Sequence, residues 1–129
     1  MNRILSEFVK DAQKYGIWVS IAASDLKTKQ AKQQEKESLY ELISTALNVA
    51  RENCVESSLP KDRCIWFQAR VFQEQMLIQI SFSCKNKTIR KLDDRVFRMR
   101  NIAESENGYF KFQLVGDKGN IRIAVPDYQ

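Results

Sequence analysis

Histidine is absent from all 129 residues. Its absence removes the commonest general base, the commonest transition-metal ligand and any phosphoaccepting imidazole within the chain. Chemistry is left to thiols, carboxylates, carboxamides and cations. Cys54, Cys64 and Cys84 are odd in number and contain no C-x-x-C pair, so they read as reduced, buried thiols of a cytosolic protein rather than a disulfide framework or a zinc site. Lys85, Lys87, Arg90, Lys91, Arg95, Arg98 and Arg100 crowd into one stretch. They could contact phosphate, in a nucleotide or a nucleic acid; the plainer reading is a solvated loop with Asp93 and Asp94 as local counter-charges. Trp66 and Phe67 offer a platform for base stacking. Interleaved with Ile65 and Ala69, they also fit simple packing on a sheet.

The elements that must position these groups follow from the apolar pattern. Lys and Arg total 21 against 16 Asp and Glu, a net charge of +5, which suits an anionic partner but is ordinary for a cytosolic domain. Hydrophobic residues are 43%, with only four glycines and two prolines, values of a globular rather than a disordered or collagen-like chain. The length fits one compact domain over residues 1–129. The amino end lacks a signal peptide's apolar core, and no apolar run approaches the roughly 18 residues of a membrane span.

Ile4, Leu5, Phe8, Val9 and Ala12 predict an amphipathic helix over 2–15, closed by Gly16. Ile17, Val19 and Ile21 alternate as a short strand, and 25–37 reads as a solvated linker. Leu39, Leu42, Ile43, Ala46, Leu47, Ala50 and Cys54 define the strongest helix, from about residue 35 to 56. Residues 65–71 and 76–82 alternate as two strands joined by a four-residue turn around Gln73-Glu74. A charged connection over 84–95 leads to a third helix carrying Phe97, Met99, Ile102 and Ala103 and ending near Asn107-Gly108. Two last strands then flank a turn over 116–120. The order α-β-α-β-β-α-β-β predicts an α/β (α+β) two-layer sandwich, a mixed, mostly antiparallel sheet with helices on one face.

Three stretches carry a resemblance to a known family. They are Ile4-Leu5-x-x-Phe8 through Tyr15-Gly16-Ile17; Leu42 through Cys54; and Met99-Arg100-Asn101-Ile102-Ala103-Glu104-x-x-Asn107-Gly108-Tyr109-Phe110 with the strand from Gly119 to Pro126. Together they span most of 2–126 and resemble the GHKL (Bergerat-type) ATPase-like catalytic domain of sensor histidine kinases, in the branch of peptide-sensing receptor kinases. In that family the central helix follows L-S-N-L-L-(D/E)-N-A-I-E-A, and its second Asn ligates the Mg²⁺ that bridges the nucleotide phosphates. Mg²⁺ needs oxygen ligands in near-octahedral array.

The resemblance places Thr45 on the first Asn and Val49 on the metal-binding one. Phe82 stands where the branch closes a strand with Asn, and Asp94-Arg95-Val96-Phe97 stands on the glycine-rich G-x-G-L, with Asp94 and Val96 at the two glycines. The nucleotide-site positions are thus Thr45, Val49, Glu52, Phe82, Asp94 and Val96, most of them replaced, with no catalytic or metal-ligating residue assigned. Asn48 should face water, while Val49 lies on the flank of the apolar stripe. Glu52 matches the family and could activate water, or simply be a solvated glutamate.

The expectation is a histidine kinase-like ATPase domain, or a relative, impaired in Mg-ATP binding and serving as a cytoplasmic signalling or interaction module, with no cofactor. The alternatives are an active ATP-binding domain that phosphorylates a histidine elsewhere, using ATP and Mg²⁺, and a basic nucleic-acid-binding module. Expected partners are a signalling protein or receptor kinase, with homodimerisation through helices outside these residues. Nucleic acid is the weaker expectation, and no membrane contact is expected of this segment.

Overall fold

Leu5, Phe8 and Ala12 fall on one stripe and are buried, and helix α1 runs Asn2–Gln13. The computed structural model describes residues 2–23, 37–85 and 94–126. α1 ends earlier than its apolar pattern predicts because the chain tightens into i→i+3 bonds, Tyr15 N–H to Ala12 O and Gly16 N–H to Gln13 O. Gly16 then takes φ +68°, a left-handed conformation that costs glycine little. The chain enters β1 (Trp18–Ala22).

Helix α2 (Glu37–Ser57) buries Leu39, Leu42, Ile43, Ala46, Leu47, Val49, Ala50 and Cys54. A 3₁₀ turn at Pro60–Asp62 follows, then β2 (Cys64–Phe72) and β3 (Gln75–Ser83). Phe72 pairs with Gln75, so the hairpin turn is two residues, not four. Gln73 and Glu74 both have positive φ, 49° and 62°, the geometry whose twist matches a two-residue hairpin. Helix α3 (Asp94–Ser105) leads to β4 (Tyr109–Val115) and β5 (Lys118–Pro126). This second hairpin is also tighter than expected. Val115 pairs with Lys118, leaving Gly116-Asp117 as the turn, with Gly116 at φ +61°.

The five strands form one sheet in the order β1-β2-β3-β5-β4. β1 pairs with β2 in parallel, and the remaining pairs are antiparallel. Parallel pairing requires a crossover, and α2 supplies it. α2 packs on β2 and β3, α3 on β4 and β5, and α1 on β1. The core lies between this helical layer and one sheet face, where Ile65, Phe67, Ile80, Phe82, Ile121 and Ile123 are buried. This is the expected two-layer α/β sandwich.

Three local expectations change. Asp94 and Arg95, placed by pattern in a connecting loop, form the first turn of α3, where an acidic residue complements the helix dipole. Starting the helix there turns Val96, Met99 and Ala103 inward and leaves Phe97 47% exposed. Trp66 and Phe67 separate: Phe67 is buried in the core, while Trp66 is half-buried on the opposite sheet face. Residues 25–36 of the expected linker over 25–37, and residues 86–93 of the charged connection expected over 84–95, lie outside the described residues. Among the described residues no helix is long and apolar enough to cross a membrane.

Candidate functional site

The helical layer brings the α2 positions against the start of α3. Val49 is 1% exposed and packs into the core. Sequence spacing set it on the flank of the stripe. That flank is covered because α2 lies between α1 and α3 and contacts both. Thr45 is half-buried. Asn48 does not stand in open water as its angular position predicts. It is half-buried and lines a shallow groove of about 250 Å³ with Ile4, Glu7, Phe8 and Asp11, since α1 crosses that side of α2.

Glu52 makes a bidentate ion pair with Arg95. Arg95 Nη1 donates to Oε2 at 2.8 Å and Nη2 donates to Oε1 at 2.9 Å. The fork matches both carboxylate oxygens, the strongest geometry available to such a pair. Its partners are about two-fifths and one-third exposed, so solvent still screens it. Further ion pairs knit the same layer: Arg51 with Asp11, and Arg98 with Glu41. Arg51 also lies over the Tyr15 ring at 5.4 Å. Asp94 is exposed at the first turn of α3, and Val96 is buried beneath it. The fold therefore gathers Glu52 with the Asp94–Val96 turn, and Arg95 joins them.

Phe82 belongs to the core instead. It is fully buried, and its ring lies 6.2 Å from that of Phe112. The ring occupies the space a side chain on Gly119 would need: a Cβ there would meet Phe82 Cζ at 2.1 Å. Glycine at 119 and phenylalanine at 82 are thus one packing solution across the β3–β5 pair.

Beside them, Cys54 Sγ lies 3.2 Å from Ser83 Oγ, which also accepts the Cys64 N–H at 3.1 Å. Burial pushes the Cys54 thiol above its usual value of 9.0, and the contact with Ser83 offsets part of that shift. All three cysteines are free, and a thiol kept protonated is a poor nucleophile.

One residue that patterning did not single out organises this end of the layer. Arg63 donates from Nη1 to Tyr15 O at 2.7 Å, from Nε to Ser58 O at 3.0 Å and from Nη2 to Val55 O at 3.1 Å. A cation just beyond the end of a helix is the available signal, because the last carbonyls carry partial negative charge.

No family model matches the chain and no curated protein matches its sequence. Solved structures do. The fold is that of the catalytic, ATP-binding domain of histidine kinases. The blue-light-activated histidine kinase EL346 of Erythrobacter litoralis superposes with a TM-score of 0.78 at 13% identity, covering 99% of this chain and 41% of that one. The catalytic domain of histidine kinase ThkA gives 0.73 at 9% identity, covering 98% and 90%. Histidine kinase AdeS of Acinetobacter baumannii gives 0.69 at 10% identity, covering 99% and 63%. The chain thus spans about two-fifths of EL346 and nearly all of the isolated ThkA catalytic domain.

Proposed function

We propose that this chain is a single ATPase-like catalytic domain, of a sensor histidine kinase or a relative, that no longer binds Mg-ATP and works as a cytoplasmic interaction module in signalling. The observation that carries this reading is the placement of Val49. At the position given to the metal-binding Asn there is a valine side chain 1% exposed in the core. Bringing Asn48 into its place would require α2 to turn by a residue, drawing Leu42, Ala46 and Ala50 out of the core at roughly 1.5–3 kcal/mol for each large side chain. Two further features point the same way. Glu52 is held by Arg95, and Asp94 sets a carboxylate where phosphates would lie. The residues present do not fit a magnesium-bridged nucleotide.

The fold itself favours a second reading, an active ATP-binding domain that phosphorylates a histidine. With no histidine in this sequence, the acceptor would lie on another domain or subunit. Calorimetric titration with ADP and a non-hydrolysable ATP analogue, with and without Mg²⁺, separates the two. We expect no heat at millimolar nucleotide. Micromolar, magnesium-dependent binding would overturn the proposal and restore a competent site.

A further inference from the structure

The open sheet face carries Arg70, Lys111, Lys118 and Arg122 beside exposed Trp18, Phe72 and Tyr109, a mixture that suits several kinds of ligand. The outer edge of β4 is more exacting. Among the described residues no strand lies beyond β4 in the sheet order. Native edges are commonly guarded by proline, a bulge, short length or inward-pointing charge. β4 has none of these, running Tyr109–Val115 in unbroken register with β5. Its inward side chains are Phe110, Phe112 and Leu114, and the last two are only half-buried.

The backbone groups of this edge have a fixed arrangement. The two-residue turn Gly116-Asp117 closes Val115 on Lys118 as a hydrogen-bonded pair. Antiparallel pairs alternate, so Tyr109, Lys111, Gln113 and Val115 direct their N–H and C=O to β5, while Phe110, Phe112 and Leu114 direct theirs to the outer edge. Among the described residues nothing hydrogen-bonds those outer groups. We propose that this edge pairs with the same edge of a second copy of the chain, antiparallel about a two-fold axis at Phe112, joining two sheets into one.

The strand is self-complementary in that register. Phe112 faces Phe112 of the second copy and Phe110 faces its Leu114, which are the residues with outward donors and acceptors. The half-buried Phe112 and Leu114 gain cover on the helical side. On the other face exposed Tyr109 meets exposed Val115, and Lys111 meets Gln113. An axis at Lys111 would set two like charges opposite each other, and one at Gln113 would pair only residues 111–115. A one-residue slip would turn the apolar set to the polar face.

β1, the other edge, is shorter at five residues. Its Trp18 N–H is bonded to Arg63 O, so only Val19 and Ile21 direct both groups outward. Joining β4 of one copy to β1 of the next would be head-to-tail and would not close. Symmetry, register and side-chain pairing therefore favour a closed dimer through β4. This goes beyond the interaction-module reading and does not depend on the nucleotide site.

The test is sedimentation equilibrium of the chain from micromolar to millimolar concentration, with isotope-filtered NOESY on mixed labelled and unlabelled chains. The expected result is a reversible monomer–dimer equilibrium. An intermolecular contact should join Lys111 Hα to Gln113 Hα, a close, non-hydrogen-bonded pair of this register and not of its symmetric alternatives. Gln113→Glu should tighten the dimer and Gln113→Lys weaken it, each about threefold at low salt, because Lys111 meets position 113 twice per dimer. Gln113 is exposed, so neither change disturbs the core. Leu114→Pro removes an outward N–H and no bond to β5, and should abolish association. Ser20→Lys, on β1, should leave affinity within about twofold.

A chain still monomeric at millimolar concentration would overturn the proposal. So would assembly that grows past the dimer, equal affinities of Gln113→Glu and Gln113→Lys, or a dimer lost in Ser20→Lys. Magnesium-dependent nucleotide binding would overturn the reading of the helical layer and leave this one standing.

Discussion

Placing a methyl group on Gly119 tests the packing that closes the sheet beneath the candidate site. An alanine in a strand ordinarily improves on glycine by about 0.5–1 kcal/mol, through lower chain entropy in the unfolded state. Here the sign should reverse. A Cβ at 119 would stand 2.1, 2.3 and 2.8 Å from three atoms of the Phe82 ring, whereas carbon atoms rest about 3.5–4.0 Å apart. The nearest pair must therefore separate by more than about 1 Å.

Phe82 has nowhere to go. It is fully buried, beside Phe112, on a strand paired along its length with β5. Overpacking costs about 1–3 kcal/mol when the neighbours can shift, and full loss of a buried Phe costs about 3–5 kcal/mol. Gly119→Ala should fall between, near 3 kcal/mol, lowering the melting temperature by about 10 °C for a chain of this size. Urea unfolding of Gly119→Ala, Phe82→Leu and the double variant gives the cycle. The double variant should lose less than the sum of the singles, because the shorter side chain at 82 makes room for the methyl. A Gly119→Ala protein within about 0.5 kcal/mol of the parent, or strict additivity in the double variant, would refute the placement of the Phe82 ring over Gly119.

Glu52→Gln, Arg95→Gln and their double variant should show a coupling of about 1 kcal/mol in urea unfolding, falling as salt is raised, since the pair is well aligned but partly solvated; zero coupling at low salt would argue against the pair. Arg63→Ala should destabilise by about 2 kcal/mol through loss of charged hydrogen bonds to three carbonyls, and Arg63→Lys should recover less than half, because one ammonium cannot reproduce the fork; equal stability of Arg63→Lys and the parent would contradict that geometry. The Cys54 thiol is raised above 9.0 in the folded state by burial. Below pH 9 it is protonated whether folded or unfolded, and its contribution is complete. Above that the unfolded chain ionises first, so stability is lost as pH rises through the folded value. The parent should therefore lose stability more steeply above pH 9 than Cys54→Ala, and parallel stability profiles would remove the buried thiol from the account.

Periodicity made the element order legible, because a helix buries one stripe and a half-covered strand one alternate set. The heptad-like spacing of Leu39 to Cys54 and the period-two runs of β2, β3 and β5 leave few other ways to bury those side chains. Boundaries were less legible where geometry depends on the partner strand. Gln73-Glu74 and Gly116-Asp117 became two-residue turns because the paired strands, not local composition, set the register. Phe97, expected among the apolar residues of the third helix, faces outward because that helix begins at Asp94 and turns Val96, Met99 and Ala103 to the core. The residue types at Thr45, Val49, Phe82, Asp94 and Val96, the positions that the resemblance sets on the nucleotide site, could be read from the sequence. Their surroundings could not. Tertiary packing decided that Val49 is sealed into the core, that Asn48 lies against α1 and that Glu52 is held by Arg95. It also gathered Arg70, Lys111, Lys118 and Arg122 on one open face. Each of these joins residues distant in sequence, and no local pattern encodes which strand or helix will arrive as the neighbour.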